Sequence, residues 1–361
     1  MEQEILNKEP LVENKNPENK APEVKQPQRT AKKKFSWKEF GRNHLYELVA
    51  LGGFIFLLIL FSFLPQAVTG RPYRYVGLWR KSILNNFVEQ TTVYMILAIG
   101  ATFIYSMGSM DISVGYQVGI MATVFVTVAN ATGSIILGLL LALIIAVVCA
   151  VFNGFVGAYV KLPTVMSSVI LMQFFRGMMT NIYQDDPTNP GSFILAKDVS
   201  WATSTGFRVA SLIVLLIIGL YILGYTKLGK RTKAIGANKR AADLAGAQFL
   251  KSRITAYAAF GFFLVIAVFF LVARTQGIAE GDAATFQMDI MIMLLMGGMP
   301  LSGGMRTKLV NAVLGTLTYS LITIGLTLCG VPEAQVFFTK ALIFVIIVVL
   351  TCRKPGEVLP R

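Results

Sequence analysis

Residues Ile112–Val160 read ISVGYQVGIMATVFVTVANATGSIILGLLLALIIAVVCAVFNGFVGAYV, and these 49 residues contain no Asp, Glu, Lys or Arg. A helix that crosses a bilayer needs about 20 predominantly apolar residues, with a rise of about 1.5 Å per residue. One helix of this length would extend well beyond twice the hydrocarbon core of roughly 30 Å. We therefore predict two spans, joined by a turn in the polar sequence Asn130-Ala-Thr-Gly-Ser134.

The whole chain shares this apolar character. Of its 361 residues, 55% are hydrophobic and 14% are charged, and the mean hydropathy is +0.63. Soluble domains carry about 25% charged residues, so the composition excludes an ordinary water-soluble protein. We predict an all-α polytopic membrane protein with about ten transmembrane helices, some of them broken. The predicted spans are 47–64, 88–106, 116–130, 134–151, 163–181, 208–225, 254–273, 286–299, 309–328 and 336–351.

The distribution of charge predicts the orientation of the chain. The net charge is +14, but the cations lie between apolar stretches rather than along one face, which argues against a nucleic-acid partner. With the N-terminus inside, the cytoplasmic segments hold 20 Lys and Arg residues and the outer loops hold six, the bias that cytoplasmic loops show. We therefore predict that both termini are cytoplasmic. The outer cluster Arg71, Arg74, Arg80 and Lys81 is a local exception and suggests an interfacial amphipathic segment.

The polar segments divide the chain into three parts. Residues 1–44 are rich in Lys, Glu, Asn, Pro and Gln, so we predict a disordered basic cytoplasmic tail. Residues 45–352 form the membrane domain, and 353–361 form a cytoplasmic C-terminal tail. The longest loop within the membrane domain is 226–253.

This loop carries signals for a short helix. Asn238 is a suitable N-cap for a helix through Ala241, Ala242 and Leu244 that ends near Gly246. Small residues on such a helix would allow close approach to a groove on another subunit. The alternative is a positively charged loop that only fixes the topology.

The sequence offers no catalytic or metal-binding constellation. Cys149, Cys329 and Cys352 lie far apart without metal-ligand spacing, so we predict no metal site, no cofactor and no enzymatic activity. Residues 224–230 look like a phosphate-binding loop, but Arg231 replaces the Ser or Thr that binds magnesium and a membrane span precedes them. If ATP drives transport, the ATPase must be another chain.

Two glycine-rich motifs suggest an internal repeat. Met107-Gly-Ser-Met-Asp-Ile-Ser-Val-Gly115 and Met296-Gly-Gly-Met-Pro-Leu-Ser-Gly-Gly304 are identical at five of nine positions. Both follow a span that runs inward in the predicted topology, so the repeat would be parallel, with spans one to four matching spans seven to ten.

Polar residues within the apolar spans are candidates for a solute path. A charge at the centre of a lipid-facing helix costs about 2.5–3.5 kcal/mol, so these residues should face the bundle or a cavity. Helix capping and interhelical pairing are the structural alternative, and for Asp111 we predict both a cap on a broken helix and a place on the path. The candidate path residues are Gln90, Asp111, Ser113, Gln173, Arg176 and Asp289.

An ordered set of short motifs resembles the ribose/xylose/galactose-type ABC permeases of the branched-chain amino acid/sugar permease superfamily. The resemblance runs in collinear order from about residue 80 to residue 351. The motifs are Gln90-Thr-Thr, Gly108–Gly115, Asn153-Gly154, Leu162-Pro163, Arg176-Gly177, Gly229, Ala234–Asn238, Ala241-Ala242, Gly246, Met288-Asp289, Gly297-Gly298 and Ser302–Gly304.

The resemblance implies a type II ABC importer-like fold in the bacterial inner or plasma membrane. It implies a second permease copy or paralogue, a cytoplasmic ABC ATPase and an extracytoplasmic solute-binding protein that selects the solute. The ATPase-coupling residues it implies are Gly236, Asn238, Ala241, Ala242 and Gly246. The expected cargo is a sugar or similar small polar solute. A nucleoside permease and an ion-coupled secondary transporter remain the alternatives.

Overall fold

The computed structural model describes residues 45–159, 164–184, 191–282, 284–300 and 302–351. The tails 1–44 and 353–361, and the Leu162-Pro163 motif, lie outside the described residues. The helices are α1 (Leu45–Thr69), α2 (Tyr73–Val76), α3 (Lys81–Tyr105), α4 (Val114–Thr132), α5 (Ile135–Tyr159), α6 (Thr164–Gln184), α7 (Thr205–Tyr225), α8 (Lys227–Ala237), α9 (Lys239–Leu244), α10 (Phe249–Thr275), α11 (Phe286–Met296), α12 (Leu309–Leu328) and α13 (Glu333–Thr351). Strands β1 (Ser192–Ile194) and β2 (Gly277–Ala279) pair antiparallel, and a 3-10 turn covers Ser200–Thr203.

Each of the ten predicted spans coincides with a helix, which confirms the all-α polytopic fold. Within the described ranges, seven helices are long and apolar enough to cross a membrane: α1, α3, α4, α5, α7, α10 and α12. Helix α11 is a shorter apolar helix that ends before Gly297, so the predicted span 286–299 is three residues too long. The predicted turn is confirmed, since Gly133 adopts a φ of 68° between α4 and α5.

The core of the bundle is built around α10. This helix packs against α3, α4 and α5, and α3 packs in turn against α12 and α7. The peripheral helices show the opposite pattern, because large apolar side chains such as Phe56 on α1, Ile136 on α5 and Ile217 on α7 are exposed. Apolar surface of this extent would be unfavourable in water and matches a lipid environment.

The two ends of the bundle differ, and they are called the glycine end and the sheet end. At the glycine end, residues 106–113 and 302–308 lie against each other, and the Gly304 amide donates to the Ser106 carbonyl oxygen over 2.9 Å. At the sheet end, β1 pairs with β2, and the end of α10 meets the start of α3 through Arg274 and Asn86. Helices α3 and α11 both lead into the glycine end, so they run in the same direction, as the predicted parallel repeat requires.

Candidate functional site

The two glycine motifs meet each other and the end of α8 at the glycine end. A Cβ atom added to Gly236 would overlap the Ser106 carbonyl oxygen and lie 2.6 Å from the Gly304 amide nitrogen. Gly303 has a φ of 68°, and a Cβ atom added to it would overlap the Gly108 nitrogen and lie 2.6 Å from the Tyr105 carbonyl oxygen. Only glycine allows such backbone contacts, so α8 and both motif loops form one joint. Gly236 therefore lies inside this joint rather than on an outer docking face.

Electrostatic contacts surround the joint. Lys308, which precedes α12, donates to Glu47 at the start of α1 over 2.5 Å. Burial, and secondarily the charge of Lys308, lower the pKa of the Lys233 side chain on α8 below its ordinary value. The cationic loop 226–253 thus folds back onto the ends of the membrane helices.

The predicted short helix is present as α9. The Asn238 side chain accepts a hydrogen bond from the Ala241 amide over 3.1 Å, which confirms the predicted N-cap. Gly246 ends the helix with a φ of 82°, and the Ala247 amide donates to the Ala242 carbonyl oxygen over 2.9 Å.

The exposed face of α9 differs from the predicted one. Ala241 and Gly246 are exposed, but Ala242 is buried beneath the helix. Leu244 was predicted to lie in this helix but not among the coupling residues, and it is 92% exposed at the tip of α9. The sequence Ala241-Ala-Asp-Leu-Ala245 could have suggested an apolar tip, but only the fold shows which side faces outward.

Asp111 is the centre of a buried polar cluster beside the joint. Its Oδ1 atom accepts the Ser113 amide over 2.8 Å and the Ser113 hydroxyl over 2.5 Å, just before α4 begins. Its Oδ2 atom accepts Asn153 Nδ2 over 2.9 Å and Gln117 Nε2 over 3.4 Å. The Asp111 side chain thus orders the break between α3 and α4 and ties it to α5, and it is 3% exposed in the single chain.

Arg253 connects this cluster to α6. It is 1% exposed on the first turns of α10, close enough to Asp111 for an electrostatic interaction between the two side chains. Its Nη2 atom donates to Ser167 Oγ on α6 over 3.4 Å. Arg253 follows α9 by only nine residues along the chain, so it lies between the exposed helix and the cluster.

Asp289 forms a second buried cluster nearer the sheet end. It accepts hydrogen bonds from the hydroxyls of Tyr94 on α3, over 3.2 Å, and Tyr319 on α12. The Gln90 side chain lies beside Tyr94, one turn away on α3. The Lys340 ammonium on α13 lies 4.5 Å from the centre of the Tyr319 ring. The structure therefore brings Gln90 and Asp289 together and joins four helices around them.

Gln173 and Arg176 lie apart from both clusters, on the exposed face of α6. With Gly177, Thr180 and Asn181 they line an open depression along the helix. These residues recur at three- and four-residue spacing, so they form one stripe, called here the α6 stripe. Helix α6 starts at the glycine end, where Thr164 donates to Ser109, so Arg176 lies about 18 Å along its axis. That depth is near the middle of a bilayer.

The predicted path residues thus fall into three groups. Asp111 and Ser113 belong to one buried cluster, Gln90 and Asp289 belong to another, and Gln173 and Arg176 lie on the α6 stripe. Of the six, only the last two present exposed polar side chains on the single chain. Sequence reasoning missed four residues that are spread from position 94 to position 340, and no local spacing links them: Tyr94, Arg253, Tyr319 and Lys340.

Known proteins similar to this chain are permeases. The family model described as "Branched-chain amino acid transport system / permease component" matches residues 83–349. The ribose import permease protein of Escherichia coli (strain K12) is 23% identical over 276 residues, which cover 75% of this chain and 86% of that protein. The ribose import permease protein of Bacillus subtilis (strain 168) is 26% identical over 275 residues, covering 74% and 84%.

A third relative extends the range of named solutes. The xylose transport system permease protein of Escherichia coli (strain K12) is 21% identical over 328 residues, covering 73% of this chain and 83% of that protein. No solved structure matches the chain. The family predicted from the ordered motifs is confirmed. The chain belongs to the family of permease components of branched-chain amino acid transport systems and is a multi-pass membrane protein.

Proposed function

We propose that this protein is the membrane-spanning subunit of an ATP-driven importer that moves a sugar or similar small polar solute into the cytoplasm. The observation that carries the proposal is the joint at the glycine end. There the exposed, capped helix α9 follows directly on α8, and Gly236 of α8 lies against the backbone at two breaks in membrane helices. Such a connection suits a subunit that receives force from an ATPase on a separate chain.

The docking face for that ATPase is α9. Leu244, Ala241 and Gly246 present an exposed apolar tip with little side-chain bulk, next to the exposed cations Lys239 and Arg240. Burying one leucine side chain in a groove contributes about 1.5–3 kcal/mol. We assign Ala242 and Gly236 to transmission within this chain, because they contact the rest of α9 and the joint.

The glycine end is cytoplasmic in this proposal, and the sheet end receives the extracytoplasmic solute-binding protein. Support comes from the eight Lys and Arg residues of loop 226–253, which belongs to the glycine end. The bacterial cytoplasmic membrane, with both termini inside, is the setting that this orientation and the named relatives favour.

The solute path lies along the α6 stripe. An arginine facing lipid at this depth costs about 2.5–3.5 kcal/mol, so the stripe requires either a second permease copy or a water-filled path between two copies. Its amide, guanidinium and hydroxyl groups can donate and accept hydrogen bonds with sugar hydroxyls. The names of the ribose and xylose relatives point to the same class of neutral polyhydroxylated solute.

Arg253 is the element that carries movement from α9 to this path. It contacts Ser167 on α6 and acts on Asp111 at the break before α4. A displacement of α9 would pull on the start of α10, and the Arg253 side chain would pass it to α6. In this proposal, Asp111 and Asp289 hold the helix breaks and the surrounding helices together, and Gln173 and Arg176 contact the solute.

Uptake by cells that lack the gene for this chain, with the gene restored on a plasmid, tests the function. We expect restored accumulation of radiolabelled ribose or xylose that stops when ATP is depleted, and no restoration by the Leu244→Asp variant at equal protein level. Copurification of an ABC ATPase with the wild-type chain would identify the partner.

The same assay separates the alternatives. Restored uptake of adenosine without any sugar uptake would assign the protein to nucleosides. Uptake that a protonophore abolishes while ATP remains high would favour an ion-coupled secondary transporter and would reject the role of α9.

A further inference from the structure

Residues 71–81 form a cationic and aromatic segment between α1 and α3, called here the RK segment. Its sequence is RPYRYVGLWRK, and no Asp or Glu occurs from Gly70 to Val88. Arg71, Arg74 and Lys81 are exposed, and Arg80 is partly exposed. Among the residues that the structure describes, none of these four cations forms an ion pair.

Hydrogen bonds and buried side chains hold the RK segment in place. Arg74 donates to the Tyr75 hydroxyl over 2.6 Å, and Arg80 donates to the Tyr75 carbonyl oxygen over 2.9 Å. Val76 and Leu78 are buried against the bundle. Since each guanidinium has five N–H donors, most donors of Arg74 and Arg80 stay available to a ligand.

The segment lies at the depth of lipid headgroups. Helix α1 begins at the glycine end, where Glu47 contacts Lys308, and its 25 residues reach about 37 Å, so Thr69 and the RK segment lie at the opposite end. Trp79 is 52% exposed, and its indole N–H donates to Ser62 on the last turns of α1 over 3.0 Å. Exposed Tyr73 and Tyr75 complete a group of aromatic side chains of the kind that gathers at membrane–water boundaries.

The segment also lies on the lipid-facing perimeter. Helix α1 exposes Phe56, Phe63 and Val68, and it packs on α12, whereas the α6 stripe belongs to a helix that packs on α4 and α5. The RK segment therefore borders lipid rather than the proposed path. Four uncompensated cations on that border match the negative charge of phospholipid phosphates.

We propose that the RK segment binds the phosphate groups of anionic phospholipids at the sheet end of the bundle. Arg71, Arg74, Arg80 and Lys81 contact the phosphates, and Tyr73, Tyr75 and Trp79 lie at the level of the glycerol groups. This binding also accounts for a basic cluster outside the loops where the sequence predicts cytoplasmic cations. It depends on the membrane setting of the family and not on the identity of the solute.

Native mass spectrometry of the purified full-length chain tests the proposal, with dioleoyl-phosphatidylglycerol as the anionic probe and dioleoyl-phosphatidylcholine as the zwitterionic one. Each exposed cation replaced by glutamine should weaken phosphatidylglycerol binding by about fivefold, the change that corresponds to about 1 kcal/mol per Lys or Arg near anionic lipid. Phosphatidylcholine binding should stay unchanged. Trp79→Ala should weaken both lipids alike, because aromatic anchoring does not depend on headgroup charge.

A matched variant controls for net charge. The substitutions K230Q, R231Q, R240Q and K251Q remove four exposed cations at the glycine end and should leave the phosphatidylglycerol sites of the RK segment occupied. If the quadruple variant R71Q/R74Q/R80Q/K81Q does not fold, the single variants Arg74→Gln and Lys81→Gln give the same comparison at exposed positions.

Three results would overturn the proposal. The first is equal phosphatidylglycerol binding by the wild type and the RK variants. The second is displacement of the bound lipid by millimolar inorganic phosphate, which would make the segment a site for the free anion. The third is unchanged lipid binding together with loss of an acidic protein that copurifies with the wild type, which would make it a protein-docking surface.

Discussion

At the scale of single residues, the exposure of Leu244 and the burial of Asp111 have opposite energetic consequences. The exposed Leu244 at the tip of a short polar helix does not stabilise the isolated chain, since its apolar surface stays in water. The chain itself requires the buried Asp111 carboxylate, which has four donors around it, because removing it would leave the Ser113 and Asn153 donors without an acceptor. Changes at the two positions should therefore separate partner binding from folding.

Leu244→Asp should reduce the amount of ABC ATPase that copurifies with the chain by about tenfold or more, since about 1.5–3 kcal/mol of buried apolar surface is lost. The unfolding temperature of the chain should not change, because the side chain contacts solvent. Leu244→Met keeps the apolar volume and serves as the matched control. Equal ATPase recovery with Asp and Met at this position would remove α9 from the docking face.

Asp111→Ala should lower the free energy of unfolding by about 2–4 kcal/mol, because the Ser113 and Asn153 donors lose their acceptor, whereas Gln117 still donates to Ser113 Oγ. Asp111→Asn should cost less, since its Oδ1 atom still accepts from Ser113 and the unpartnered Asn153 Oδ1 can turn toward the new amide. Of the three variants, Ser113→Ala should lower the free energy of unfolding least. Thermal unfolding of the purified variants in detergent measures the order. An alanine variant as stable as the wild type would contradict the buried cluster.

At this scale, interactions between residues close in sequence could be predicted, and interactions between distant residues could not. The Asn238 cap acts over three residues, so the local sequence predicts it. Asp111 and Asp289 could be selected because a carboxylate within an apolar segment is costly unless it has hydrogen-bond partners or faces a cavity. Their distant partners could not be predicted, because Asn153 is 42 residues from Asp111 and Tyr94 is 195 residues from Asp289. The direction in which Leu244 and Ala242 face depends on contacts with α8, which no local pattern records.

At the scale of elements, α6 differs from the other exposed helices of the bundle. Phe56 on α1 is 64% exposed and Ile217 on α7 is 60% exposed, as expected for lipid contact. The exposed side of α6 carries Gln173, Arg176 and Asn181 beside exposed apolar residues such as Ile170 and Phe174. The sequence predicted the helix from its length and apolar content. Its polar side could be identified from residue spacing, but whether that side faced the bundle or the outside required the fold.

Cysteines placed in α6 distinguish a watery path from lipid. We expect a charged methanethiosulfonate reagent to modify Gln173→Cys and Arg176→Cys at least about tenfold faster than Phe56→Cys or Ile217→Cys, because the thiolate is the reactive form and lipid suppresses it. The four positions are all exposed on the single chain, so exposure alone predicts equal rates. The background should lack Cys149, Cys329 and Cys352. Equal modification at all four positions would reject a path along the α6 stripe.

At the scale of the whole molecule, the two ends of the bundle have different chemistry. The glycine end gathers loop 226–253, the joint and the Lys308–Glu47 pair. The sheet end carries β1 and β2, the RK segment and a contact between Arg274 and Glu89 at 4.0 Å. Hydropathy alone predicts the order of the ten apolar segments, since a span needs about 20 apolar residues, but only seven of the described helices are long and apolar enough to cross a membrane. It does not predict that two motifs 189 positions apart close on one glycine of α8, because that contact depends on how ten helices pack.

The orientation of these ends gives the last prediction. With the glycine end in the cytoplasm, Lys251→Cys should react with a membrane-impermeant maleimide only after the cells are opened, and Lys197→Cys, near the sheet end, should react in intact cells. Both side chains are exposed, so accessibility to water does not separate them. Phe63→Cys, which faces lipid near the end of α1, serves as the unlabelled control. The physical basis is the excess of Lys and Arg in loop 226–253, since such loops stay on the cytoplasmic side.

Labelling of Lys251→Cys in intact cells and of Lys197→Cys only in opened ones would mean that the bundle has the opposite orientation in the membrane. The exposed tip of α9 would then face away from any cytoplasmic ATPase, and the RK segment would lie in the inner leaflet.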